Sequence, residues 1–252
     1  MRLEVHATSD AGLVRSHNED MALVAKRLVR DSRYDSTHEI PDRSRPYAIA
    51  VSDGLGGQSA GEVASELVLD CLRTDISTLK RNAGPAVIMQ ELAHIADGIQ
   101  EHLISRASAI HRYRGMATTL TALIYYEREF FLFHVGDTRC YVYKNGVLNQ
   151  ITRDHTLREL EGDPRIPGNI LSNCFGSQES FFADVQQLTN GGDEGDVFLL
   201  CSDGLSDMVE DETTEAILRE SATMRAAGER LLREAREMGG RDNITFVLAR
   251  VL

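Results

Sequence analysis

The stretch AVSDGLGGQSAGEVASEL (Ala50–Leu67) decides how the chain is read. An apolar run from Tyr47 stops at Ser52-Asp53, and three glycines follow within four residues: Gly54, Gly56 and Gly57. A run of this length bounded by turn residues predicts a short buried strand over Tyr47–Ser52. Beyond the glycines, Ala60, Val63, Ala64, Leu67, Val68, Cys71, Leu72 and Leu79 recur at helical spacing, which predicts a helix over Ser59–Arg81. A lone carboxylate thus ends a buried strand where the chain turns into a helix.

Outward from this junction the order of elements becomes legible. Gly84-Pro85 opens a second helix with the stripe Ile88, Leu92, Ile95, Ala96, Ile99 and Leu103, Pro85 suiting its first turn. Two long helices with a short link predict an antiparallel pair. The middle of the chain is strand-rich: ATTLTALIYY, EFFLFHVGD, RCYVYKNG and VLNQIT follow one another, with Asn145-Gly146 as a hairpin signal. Further strands are expected at Leu3–Thr8, Met21–Val29, Ser180–Leu188, Asp196–Ser202 and Ile244–Val251, and helices near Glu212–Glu220 and Met224–Met238. The polar segment Arg30–Pro46 reads as a surface loop. Hairpin links imply antiparallel pairing. The expected fold is α+β, a four-layer α/β/β/α arrangement in which a central antiparallel β-sandwich is flanked by antiparallel helix pairs.

Composition bounds the function classes. The 252 residues carry a net charge of −12, which argues against binding to nucleic acid or to an anionic membrane surface. No stretch is apolar enough to span a membrane, and MRLEVHATSD does not read as a signal peptide. Four cysteines without a C-x-x-C pair point to a reduced, cytoplasmic protein, with Cys71 and Cys201 in apolar segments, where free thiols are expected as small buried hydrophobes.

The acidic residues fall at strand ends. Asp53, Asp137 and Asp203 each close an apolar run, Asp242 precedes the last strand, and Glu19-Asp20 sits between the first two. The text Ser-Asp-Gly-Leu occurs twice, at Ser52–Leu55 and Ser202–Leu205. For a single Asp-Gly, ordinary turn chemistry is the simpler explanation. Five acidic segments converging on one end of a sandwich would need compensation by divalent cations, and oxygen ligands suit Mg²⁺ or Mn²⁺. Zinc-type His/Cys spacing is absent, and Gly54–Gly57 fits neither a P-loop nor a dinucleotide fingerprint. His17, His134 and His155, near acidic segments, read as structural or exposed.

Six segments together resemble the metal-dependent Ser/Thr protein phosphatases of type 2C, in the wording of the bacterial branch. They are GLVRSHNED (12–20), DGLGG (53–57), GMATTLTALI (115–124), VGDTRCYVYKNGVLNQITRDH (135–155), LLCSDGLSDMV (199–209) and GGRDNIT (239–245). The resemblance covers nearly the whole chain and implies one catalytic domain over residues 1–252. It implies hydrolysis of phosphoserine and phosphothreonine by water activated at a binuclear Mg²⁺ or Mn²⁺ centre, with a third, weaker metal. By position, Asp53 would bridge both metals. The Gly54 carbonyl would bind one metal, and Asp203 and Asp242 the other. Glu19 would hold a metal-bound water with Asp20 in support, Asp137 would position water or the third metal, and Arg15 would clamp the substrate phosphate. Gly54 is then expected to be glycine so that its carbonyl can turn to the metal and phosphate can approach.

The implied partners are phosphorylated proteins, among them a Ser/Thr kinase and its targets, for a monomeric enzyme. The chain departs from many eukaryotic members at Leu55, where they carry a His that protonates the leaving alcohol. Gln58 replaces a bacterial His, and Thr156–Ser180 is shorter than the usual flap. Two other readings stay open: a catalytically inactive module that binds phosphoproteins, and an acidic β-sandwich with ordinary turn aspartates.

Overall fold

The computed structural model describes residues 1–41, 45–56, 60–178 and 181–252. Gly57, Gln58 and the expected helix start at Ser59 lie outside the described residues, as does the expected strand start at Ser180. In chain order the elements are β1 (Arg2–Asp10), β2 (Met21–Val24), β3 (Arg27–Val29), β4 (Ser32–Glu39), β5 (Tyr47–Ser52), β6 (Gly54–Leu55), α1 (Ala60–Asp75) and α2 (Pro85–Ala109). Next come β7 (Ala117–Thr118), β8 (Leu120–Tyr126), β9 (Glu129–Val135), β10 (Arg139–Lys144), β11 (Val147–Gln150), α3 (Leu157–Glu161) and β12 (Asp184–Leu188). The chain ends with β13 (Val197–Cys201), α4 (Asp203–Ser206), α5 (Asp211–Glu220), α6 (Met224–Glu237) and β14 (Ile244–Val251).

The strands form two six-stranded sheets, ordered β11-β10-β13-β14-β1-β4 and β12-β9-β8-β5-β2-β3, and every pairing is antiparallel. Side chains alternate across a strand, so a strand covered on both faces must be apolar at every position. In β5, Ala48 and Ala50 face α1 and α2, while Ile49 and Val51 face the other sheet. In β13, Leu199 and Cys201 face α5 and α6, while Phe198 and Leu200 enter the inter-sheet core. Three cores therefore separate four layers: helix pair, sheet, sheet, helix pair. That is the expected α/β/β/α arrangement. Among the described residues no helix is long and apolar enough to cross a membrane.

Three local expectations change. Arg30–Pro46 is not all loop: β4 pairs along β1 from Arg2↔Glu39 to Ser9↔Ser32. Its sequence is polar because it is an edge strand with much of its surface in water, and edge strands avoid apolar faces. Met21–Val29 is a hairpin rather than one strand, with Val24 opposite Arg27 and Ala25 at positive φ in the turn. Cys71 is only half-buried between α1 and α2, whereas Cys140 joins Cys201 in the interior.

Candidate metal centre

Strand register alone brings the carboxylates together. Met21 pairs with Ser52, so the residues just outside that pair, Asp20 and Asp53, end neighbouring strands on the same side. Leu120 pairs with Val135, which places the β9 exit, and hence Asp137, beside Thr119. Arg139 pairs with Cys201 and Cys201 with Phe246, so Asp203 leaves its sheet between the Asp137 turn and the approach to β14. Asp242 stands at that approach.

One pocket of about 400 Å³ is lined by Arg15, Glu19, Asp53, Gly54, Leu55, Asp137, Asp203 and Asp242, with Asn169, Leu171 and Asn243 at its edge. All the expected site residues but one share this cavity. Asp20 lies buried beneath it and accepts a 2.7 Å hydrogen bond from the Ser202 hydroxyl. An adjoining hollow of about 340 Å³ shares Asp137, Asp203 and Asp242 and adds Arg139, Asp154, Arg158 and Asp207. The half-buried Arg139 guanidinium is forked on Asp154 at 2.8–3.1 Å and leaves the carboxylates of the first pocket unneutralised.

The doubled Ser-Asp-Gly-Leu text has a structural meaning in its serines. Ser52 and Ser202 are both fully buried at the last position before their aspartates. The Ser52 hydroxyl donates to the Thr119 carbonyl at 2.7 Å, while the Asp53 N–H donates to the Thr119 hydroxyl at 3.0 Å. The Ser202 hydroxyl accepts from the Thr245 N–H at 3.1 Å and holds Asp20. Each serine locks the chain direction just ahead of its carboxylate.

Two glycines are required by close approach. A Cβ on Gly54 would stand 2.2 Å from the Gly61 carbonyl oxygen and 2.6 Å from that of Glu19. Contact with α1 and the Glu19 segment thus already demands glycine at position 54, whatever its carbonyl does; the expected reason is at most a second one. A Cβ on Gly204 would stand 1.9 Å from the Asn243 carbonyl oxygen, so glycine is what lets α4 touch the Asp242 turn.

Electrostatics mark the pocket. Burial, reinforced by Asp20, Asp203, Asp137 and Asp242, holds the Asp53 carboxyl well above its ordinary range. Burial, with Asp242 and Asp207 adding to it, pushes Asp203 up to about 6. Burial with Asp203 and Asp154 pushes Asp137 up to about 7. Glu19 is raised by burial and by Glu62, and Asp20 is raised well above the usual range by burial. The compensating side chain at the rim is Arg15, whose Nη2 donates to Asp242 Oδ2 at 2.6 Å.

Among the described residues no three His, Cys, Asp or Glu side chains stand together at metal-ligating spacing, so the carboxylates ring the pocket without forming a closed cage. Their chemistry still fits hard divalent cations: the donors are all oxygen, the carboxylates are mutually repulsive, and no Lys ammonium lines the cavity. His134 and His155 are interior residues, their rings 4.5 Å apart. His134 is pushed down to about 3 by burial and by His155, and His155 accepts the Gly136 N–H at 3.1 Å. His17 is exposed at the rim.

Sequence reasoning missed Asn243. Its Oδ1 accepts the Glu19 N–H at 2.8 Å, and its Nδ2 donates to the carbonyls of His17 at 2.8 Å and Ala11 at 3.2 Å. It missed Arg30 as well, which donates to the carbonyls of Asp20 at 3.0 Å and Glu62 at 2.7 Å. Ser65 donates to the Glu19 carbonyl at 2.6 Å. The available signal was the position of Asn243 directly after Asp242; Arg30 and Ser65 carried none.

The family model described as protein phosphatase 2C matches residues 29–244. The chain belongs to the protein phosphatase 2C family. The matched span holds Asp53, Asp137, Asp203 and Asp242 and begins beyond Arg15, Glu19 and Asp20. The serine/threonine protein phosphatase PstP of Mycobacterium tuberculosis (strain H37Rv) is 32% identical over 260 residues, which cover 99% of this chain and 45% of PstP. The chain thus spans about half the length of that relative. The serine/threonine phosphatase stp of Listeria monocytogenes (serovar 1/2a, strain EGD-e) is 29% identical, with 95% of this chain and 92% of the relative covered. The solved catalytic domain of PstP in complex with two manganese ions superposes with a TM-score of 0.75 at 32% identity, covering 99% of each chain. The Streptococcus agalactiae serine/threonine phosphatase reaches a TM-score of 0.83 at 24% identity, over 99% of this chain and 100% of that one, a likeness of fold.

Proposed function

We infer that residues 1–252 act as one catalytic domain, a Mg²⁺- or Mn²⁺-dependent phosphatase of phosphoserine and phosphothreonine in proteins. The observation that carries this reading is the ring of Asp53, Asp203, Asp242 and Asp137 around one pocket, with Arg15 as the cation at its edge. The names of the bacterial relatives and the two manganese ions of the PstP complex support it. Asp53 lines the pocket among Asp137, Asp203 and Asp242 and would hold both cations. The Gly54 carbonyl, Asp203 and Asp242 would complete the ligands, with Glu19 and Asp20 in support and Asp137 toward a third, weaker ion. When bound, such a pair of cations supplies Lewis-acid activation of water and charge neutralisation at the phosphoryl oxygens.

The chain's own residues divide the remaining work. Arg15 offers a planar fork of donors to two phosphate oxygens. Its side chain is 56% exposed and can turn from Asp242 toward substrate. Asn243 and Ser65 fix the Glu19 backbone, and Ser202 fixes Asp20, so these carboxylates need little reordering when cations enter. Leu55 lines the pocket and has no proton to give, so the leaving alcohol must take its proton from water or from another residue. The complete carboxylate set argues against an inactive binding module. Phosphoproteins, among them a Ser/Thr kinase and its targets, are the proposed substrates of a cytoplasmic monomer.

The deciding measurement is phosphate release from phosphothreonine peptides. Turnover should appear with Mn²⁺ or Mg²⁺, stop with a chelator, and be lost in Asp203→Asn while the fold persists. Purified protein that stays inert across several peptides at saturating Mn²⁺ would end this reading.

A further inference from the structure

Beside the carboxylate pocket lies a second surface that the proposed chemistry does not use. Leu13 and Val14, two residues and one residue before Arg15, are 60% and 68% exposed, and Met238 at the end of α6 is 57% exposed. A groove of about 320 Å³ runs from Leu13 between β4 and α6, past Arg33, Leu232, Arg233 and Glu237. It is joined to the pocket by a short path. Leu13 donates to the Gly240 carbonyl at 2.8 Å, and two residues further along both segments Arg15 meets Asp242. Both segments turn here, so their backbones between these two contacts span at most about 7 Å.

The charges on this surface are unusual for a chain of net −12. Arg236 is forked on Asp10 at 2.8 Å, and Glu229 is paired with Arg225 at 3.1 Å, so both are already matched. Exposed Arg33, Arg233 and Arg241 have no ion pair among the described residues; Glu237 is the one carboxylate of the groove in the same condition. The unmatched charge is therefore positive, next to exposed apolar side chains, at a site that would receive a phosphorylated segment.

We propose that Leu13, Val14, Met238, Arg33 and Arg233 form a docking surface for the substrate polypeptide, selecting phosphorylated segments that carry acidic and apolar residues two to four positions from the phosphorylated one. This rests on the phosphatase reading. The occupant is an extended segment of the substrate protein: the arginines match its carboxylates, the apolar rim covers its hydrophobic residue, and the path to Arg15 sets the spacing. Rim charges of this kind act on selectivity and association more than on chemistry.

The test compares wild type with the double variant Arg33→Glu/Arg233→Glu, and separately with Met238→Ser. Three substrates are used with Mn²⁺: p-nitrophenyl phosphate, a phosphothreonine peptide flanked by Asp, Glu and Leu, and one flanked by Lys. The charge reversal should raise KM roughly tenfold for the acidic peptide, lower it or leave it unchanged for the basic one, and leave p-nitrophenyl phosphate kinetics unchanged. Met238→Ser should raise KM for the Leu-bearing peptide alone. Equal effects on both peptides, or none, overturn the docking surface while the phosphatase reading stands. So does a wild-type dimer in sedimentation that the charge reversal dissociates, since a second copy would then be the occupant. If wild type turns over none of the three, the phosphatase reading fails, and fluorescence anisotropy with the same two peptides decides docking alone.

Discussion

Arg15 and Asp242 are 227 residues apart in sequence, and Arg15 Nη2 donates to Asp242 Oδ2 at 2.6 Å. The hydrogen bond and the charge of Asp242 together raise the Arg15 guanidinium above its ordinary value, with Asp203 and Glu19 adding to it. The pair closes the rim of the carboxylate pocket, yet both partners keep contact with water. Exposed pairs contribute little to stability, so the meaning of this one lies in placing a guanidinium, the proposed phosphate clamp, at the mouth.

Replacing Arg15 separates those roles. Arg15→Ala should leave the thermal midpoint within about 4 °C, because an exposed pair contributes at most ~1 kcal/mol. It should lower kcat/KM for phosphopeptides by about 10–100-fold, the worth of charge-assisted hydrogen bonds to phosphate. Arg15→Lys should recover only part, since an ammonium cannot form the fork. Steady-state kinetics beside a melting curve decide it; an unchanged kcat/KM in Arg15→Ala removes Arg15 from the substrate site.

Asp137 makes the metal-free protein sensitive to pH. Its carboxyl stands near 7, raised mainly by burial, against about 3.9 in an unfolded chain. A raised carboxyl contributes stability that is fully present below the unfolded value and is lost as pH rises through about 7. In chelator, wild type should therefore lose urea resistance between about pH 4 and 7 more steeply than Asp137→Asn. The two curves should run together below about pH 4 and differ above pH 7 by on the order of 4 kcal/mol. Parallel curves across that range would remove Asp137 as a source of the strain.

Asn243 ties the β1–β2 connection to the entry of β14 by three hydrogen bonds, at Ala11, His17 and Glu19. Asn243→Ala leaves buried backbone groups without partners, at a cost of about 1–3 kcal/mol. Because the Glu19 segment is then free to shift, Mn²⁺ affinity should fall with it. Calorimetric titration of Mn²⁺ into variant and wild type checks this; equal affinity with lowered stability would confine Asn243 to the fold.

Gly204→Ala and Gly98→Ala should act in opposite directions. At Gly204 a methyl would collide with the Asn243 carbonyl, so the Asp203 and Asp242 turns must part, costing about 1–3 kcal/mol or more and most of the activity. At Gly98, within α2, a methyl meets nothing within 4 Å and should stabilise by about 0.5–1 kcal/mol without touching activity. Urea midpoints and turnover measured together test both; an active, stable Gly204→Ala protein would contradict the close approach of the two turns.

The sequence by itself determined the layers. Runs apolar at every position, such as Tyr47–Val51 and Val197–Cys201, announce sheets covered on both faces, and the stripes from Ala60 and Ile88 announce the helices that cover one of them. It also showed the carboxylates at strand ends and the repeated Ser-Asp-Gly-Leu, because strand ends and turn chemistry are local. It did not show β4, since an edge strand half in water has no apolar signature, nor that Gly54 is glycine for the sake of Gly61 and Glu19. Nor could it show that Asn243 and Arg30 hold the acidic loops, or that Leu13 and Arg33 share a groove with Arg233. Those relations depend on register between strands and on which turns touch, and distances between segments far apart in the chain exist only once the sheets are stacked.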